Sequence, residues 1–114
     1  ADLVEAALVE PNDQCLAHAI NLCEVFYHFY RAGGEKAAGD AIRDLRRMNV
    51  VERSDFDPQF WEEAGRLKAQ ARLSLADCFA LTLCKRLRGV LLTSDHHEFD
   101  PLAVSGAYSI TFIR

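Results

Sequence analysis

Residues 73–95 read LSLADCFALTLCKRLRGVLLTSD, which is an apolar helix, a glycine stop and an apolar strand in immediate succession. Ser74 is a good N-cap, so the helix runs from Leu75 to Leu87 and ends at Gly89. From Leu75 to Cys84 it is apolar nearly all the way round, as in a helix buried on most sides. Val90 to Thr93 then forms a β-rich run, and Asp95 opens a polar loop to Pro101. A buried helix feeding directly into a short apolar strand is the signature of an α/β domain.

The same alternation continues in both directions. Upstream, Asp57-Pro58 is a cap followed by proline at the first helical position, and its helix buries Phe60, Ala64, Leu67 and Ala71. Asn49 to Arg53 reads as a short strand, and Glu35 to Arg47 as an amphipathic helix with Ala38, Ala41, Ile42 and Leu45 on one face. Gly33-Gly34 stops a helix from Leu22 to Ala32 whose core face is Leu22, Val25, Phe26 and Phe29, with Asn21 as its N-cap. Gln14 to Ile20 is a candidate buried strand, and Pro11-Asn12-Asp13 a turn. Ala1 to Glu10 reads as helix, and Tyr108 to Ile113 as a last strand. The expectation is one α/β domain over residues 1–114 with a mostly parallel sheet.

Composition narrows the class. With 114 residues, half of them apolar, the chain is long enough to build a core of its own. No apolar stretch approaches the ~20 residues of a membrane span, and no basic leader opens the chain. Cys15, Cys23, Cys78 and Cys84 all lie in apolar runs and form no C-x-x-C pair, which suits buried free thiols in a reducing cytoplasm. The net charge of −4 counts against a module that grips nucleic acid through phosphates alone. It is compatible with an acid cluster neutralised by bound cations. The basic stretches at Arg43, Arg46 and Arg47 and at Lys85, Arg86 and Arg88 sit near helix ends, where cations suit the helix dipole.

Three acids carry the chemistry. Asp77 lies in a nearly all-apolar helix, where a carboxylate is costly without a cation or hydrogen-bond partners. Ser74-x-x-Asp77 also approximates a capping box, which accounts for the acid without any ligand. Glu24 repeats the situation in Asn21-x-x-Glu24, and shares a helix face with His28 and Arg31 at i, i+4 and i+7. That face is either a solvated line of charges or an acid with basic neighbours able to reach a phosphate. Asp95 follows a strand, and in open α/β sheets ligands bind outside the carboxyl ends of strands. Glu98 and Asp100 in the same loop could add a ligand or simply solvate it. An all-carboxylate set suits hard ions, Mg2+ or Mn2+, rather than zinc. One or two such ions can activate water and stabilise a departing oxygen, which is what phosphodiester cleavage requires. No G-x-S-x-G, P-loop or G-x-G-x-x-G supports acyl transfer, nucleotide hydrolysis or dinucleotide binding.

These residues resemble a known family. Leu73 to Ala80 followed by Gly89 to Asp95, with Ile20-Asn21-Leu22-Cys23-Glu24-Val25 upstream, is similar to the PIN domain, and most of all to the VapC-type toxins of bacterial toxin–antitoxin pairs. The resemblance implies a three-layer α/β/α sandwich and a ribonuclease dependent on magnesium or manganese. By position, Glu24, Asp77 and Asp95 match family acids and Thr93 matches a hydroxyl near the last one. It also implies a homodimer, a cognate antitoxin partner and a cytoplasmic setting. The family opens with a central strand bearing a further Asp, whose place is upstream of Ala1. Without that acid the alternative is a catalytically inactive or incomplete PIN-like domain that binds RNA or a protein. The plainest alternative is a globular domain with two well-capped helices and three acids far apart.

Overall fold

In chain order the elements are β1 (Ala7–Val9), β2 (Cys15–His18), α1 (Ala19–Arg47), β3 (Val51–Arg53), α2 (Pro58–Gln70), α3 (Leu75–Leu87), β4 (Val90–Thr93) and β5 (Ile110–Phe112). The computed structural model describes residues 7–9, 15–93 and 110–112, with side chains over 15–90. The strands form one five-stranded sheet in the order β3-β2-β1-β4-β5. β2 and β3 are parallel, as are β4 and β5, while β1 is antiparallel to both β2 and β4. Four strands therefore share one direction and β1 alone opposes them, so the expected mostly parallel α/β sheet is present.

α2 and α3 begin where their caps predict. The Asp57 carboxylate accepts from the Phe60 amide, with Pro58 in the first turn, and Ser74 Oγ accepts from the Asp77 amide. Behind these caps Phe60, Ala64, Leu67 and Leu73 pack with Cys78 to Leu81, Leu83 and Cys84 and with Leu16 of the sheet. α3 lies against β1, β2 and β4 as well as α1 and α2, which is why it tolerates apolar residues on every side. It ends with Arg88 in the left-handed conformation (φ 54°, ψ 36°), one residue before the expected glycine stop, and the Gly89 amide closes the turn onto Cys84 O at 2.9 Å.

Several expectations need correction. Residues 7–9, read as part of a helix over Ala1 to Glu10, form β1 instead. A three-residue run placed between two strands satisfies its backbone groups on both sides, and that outweighs a weak intrinsic helix preference. Asn21 is not a cap: α1 starts earlier, capped by His18, whose Nδ1 accepts from the Ile20 amide at 3.0 Å. The glycine stop is real but becomes a kink. Gly34, at φ 80° and ψ −164°, breaks the helical path while α1 resumes on either side of it. Beyond the kink Ala38, Ala41 and Leu45 are buried as expected. Before it the predicted core face is only partly covered: Leu22, Val25 and Phe29 are half-buried and Phe26 is 37% exposed. All four cysteines are free thiols, but only Cys78 and Cys84 are buried, and Cys23 is exposed.

Candidate functional site

The sheet topology brings strand ends together before any side chain is considered. β2 and β4 run in the same direction with only β1 between them, so both leave the sheet at the same edge. At that edge β2 hands over at His18 to α1, which carries Glu24, and β4 ends at Thr93. The start of α3, which carries Asp77, is tied to the start of α1 by a hydrogen bond from Asn21 Nδ2 to Ala76 O at 2.9 Å.

Glu24 is half-buried and is the sixth residue of α1, beyond its first turn. The capping role weighed for it is therefore excluded, because His18 caps this helix and no acid lies in the first turn. Asp77 differs. Its amide donates to Ser74 Oγ at 3.1 Å, so one half of the capping box is formed, and the half-buried Asp77 sits in the first turn of α3. A carboxylate there is favoured by the positive end of the helix, the condition a metal ligand needs to remain ionised. Immediately after it, burial pushes the Cys78 thiol up, against a smaller downward pull from Lys68 and with a still smaller push from the neighbouring Asp77 charge, which leaves that sulfur an inert core group.

His28 and Arg31 follow Glu24 along α1. The His28 ring stacks on Tyr27 at 4.5 Å between centroids, and Arg31 is exposed. Asp95, Glu98 and Asp100 lie outside the described residues, as does the side chain of Thr93. Among the described residues no group of three or more His, Cys, Asp or Glu gathers to hold a metal. Of the acids expected to act as ligands, Glu24 and Asp77 are the two among the described residues, and both are carboxylates, the ligand type that hard divalent ions take.

The structure also assembles a charge cluster that the sequence did not suggest. Arg53 and Arg86 both bind the Asp55 carboxylate, at 2.9 and 3.0 Å, and Arg86 reaches on to Asp57 at 2.8 Å while lying over the Phe60 ring at 5.2 Å. Arg86 holds the Asp57 carboxyl down to about 2, and Arg53, with help from Arg86, lowers that of Asp55. These acids are neutralised by guanidinium groups, so the cluster fastens α2 to α3 and is not a cation site. Its visible half was the Asp57-Pro58 cap; the partner Arg86 lies 29 residues away and only folding reveals it. The other basic stretches are likewise engaged: Arg43 pairs with Asp40, Arg47 with Asp44, and Lys85 with Glu63.

A family model described as PIN domain matches residues 1–104. No curated protein and no solved structure matches the chain.

Proposed function

The chain belongs to the PIN-domain family, whose members are generally nucleases needing a divalent metal, and on that premise we propose that it is a Mg2+- or Mn2+-dependent ribonuclease. The observation that carries the proposal is convergence: the start of α1, one turn before Glu24, is bonded to the start of α3, which bears Asp77, at the end of the sheet where β2 and β4 both finish. Glu24, Asp77 and Asp95 are the proposed metal ligands, with Glu98 or Asp100 as a further one. A divalent ion held there would supply an activated water and charge stabilisation of the departing oxygen. The protein's own task is to hold ionised carboxylates around one point and to orient the RNA. His28 and Arg31, one and two turns beyond Glu24, supply groups that reach a phosphate of the bound strand. Thr93 supports the last acid. The setting we propose is that of a cytoplasmic toxin, dimeric and silenced by a cognate antitoxin. No helix among the described residues is long and apolar enough to cross a membrane.

A second reading, a non-catalytic PIN-like module that binds RNA or a protein, is favoured by one observation. Phe26, Tyr27 and Tyr30 leave an exposed aromatic strip along α1, 37–50% accessible. Both readings are tested by incubating the protein with RNA and magnesium. Metal-dependent cleavage that Asp77→Asn abolishes, with the fold retained, supports the enzyme. Cleavage unchanged by Asp77→Asn overturns the site assignment, and RNA binding without cleavage favours the module.

A further inference from the structure

Asn21 is the feature that the proposed site does not yet account for. It is 94% buried by its 6% exposure, in the first turn of α1, one helical turn before Glu24. Its Nδ2 donates to Ala76 O, the carbonyl of the residue that precedes Asp77. Among the described residues its Oδ1 is the one buried side-chain oxygen or nitrogen without a hydrogen-bond partner. Buried polar atoms are nearly always partnered, and an amide that satisfies only its donor half has a reason to keep the acceptor half available. An apolar side chain of the same size would fill the space without leaving an orphan acceptor.

The place of Asn21 in the fold indicates what donor its oxygen would meet. Asn21 lies on α1 one helical turn before Glu24, and its bond to Ala76 O ties it to the residue that precedes Asp77 on α3. Carboxylates are acceptors only, so neither can donate to it. A magnesium ion held by few carboxylates keeps several waters, and those waters turn their protons outward toward acceptors. We propose that Asn21 is a positioning residue whose Oδ1 accepts a hydrogen bond from a water of the hydrated divalent ion, while its Nδ2 locks the starts of α1 and α3. The inference rests on the site reading given above and deepens it. The same residue would set both the spacing of the two acids and the orientation of the ion's hydration shell. Outer-shell groups of this kind are typically worth ~10–100-fold in metal affinity.

Manganese titration by calorimetry, paired with thermal unfolding of the metal-free protein, tests this. Asn21→Leu removes the orphan acceptor together with the Nδ2 bond to Ala76 O, so its manganese affinity is expected to fall about tenfold or more while the metal-free protein stays folded with a modestly lower thermal midpoint. A role confined to packing would move stability and leave affinity alone. Manganese affinity within about twofold of the parent in Asn21→Leu overturns the inference by itself. No manganese binding by the parent protein overturns the site reading and the inference together. Should Asn21→Leu fail to fold, Asn21→Asp replaces it. A carboxylate facing the hydrated ion keeps or tightens manganese binding, whereas weaker binding by a folded Asn21→Asp overturns the proposal.

Discussion

His18 Nε2 donates to the carbonyl oxygen of Asp55 at 2.8 Å, while Nδ1 of the same ring accepts from the Ile20 amide. A carbonyl cannot donate and an amide N–H cannot accept, so the two bonds together assign the neutral Nε2–H tautomer. The ring is 5% exposed, stacked on Phe60 at 5.4 Å and edge-on to Phe79 at 4.9 Å. One side chain therefore ends β2, caps α1 and fastens the segment after β3 to the aromatic core. His18→Phe keeps the ring but loses the cap and orphans the Asp55 carbonyl. It should cost roughly 1–3 kcal/mol, seen as a lower urea midpoint, and His18→Asn should recover part of it through capping.

Glu24 and Asp77 should separate in their effects on stability. Because Glu24 lies beyond the first turn of α1, Glu24→Gln removes no cap. Its unfolding free energy is expected to stay within about 0.5 kcal/mol of the parent. Magnesium-dependent RNA cleavage by the same variant should fall at least about a hundredfold. A stability loss matching the activity loss would show that Glu24 acts through the fold instead.

The Arg86 cluster sets an acid limit on the fold. Asp57 is held down to about 2, chiefly by its hydrogen bonds to Arg86, and Asp55 is lowered chiefly by Arg53. A carboxyl whose folded value lies below its unfolded value binds more protons when unfolded. Its contribution is complete above the ordinary carboxylate range near ~4 and is lost as pH falls from there toward about 2. Thermal midpoints measured from pH 7 down to pH 2 should therefore drop most steeply below ~4. Arg86→Met should flatten that drop and lower the midpoint at neutral pH.

At the kink in α1, Gly34 occupies φ 80° and ψ −164°, a region that side chains with a Cβ rarely enter. Gly34→Ala should destabilise by about 1–3 kcal/mol although nothing lies within 4 Å of the added methyl. Gly33→Ala should also destabilise, for a different reason: its methyl would sit 2.8 Å from the Ala37 Cβ. Chemical denaturation of the two variants separates backbone strain from steric contact, since shrinking the neighbour with Ala37→Gly can rescue only the second.

Arg88 holds the left-handed position at the end of α3, where glycine is usual. Arg88→Gly should raise stability by up to about 1 kcal/mol in the same assay.

Local chemistry made a large part of this molecule legible. Asp57-Pro58 and Ser74 mark helix starts because a side-chain oxygen within a few residues supplies the missing acceptor, and both caps are present in the structure. The eight buried residues from Ala76 to Cys84 were visible as a run without a polar face. The same local logic failed at the N-terminal side. Asn21 looks like a cap by residue type, yet His18, three positions earlier, takes that role because its ring also reaches Asp55 across 37 residues. Residues 7–9 looked helical, yet the gap between β2 and β4 makes them a strand.

The three acids follow the same division. That Glu24, Asp77 and Asp95 each stand next to an apolar element was decided by the sequence, as was the α/β class, because composition and spacing act over a few residues. That Glu24 is no cap, that the starts of α1 and α3 are bonded through Asn21 and Ala76, and that Arg86 is occupied by Asp55 and Asp57 was decided only by the tertiary structure. The last two of these relations join residues 29 to 55 positions apart, where no periodicity or propensity reaches and only the packing of the elements brings the groups together.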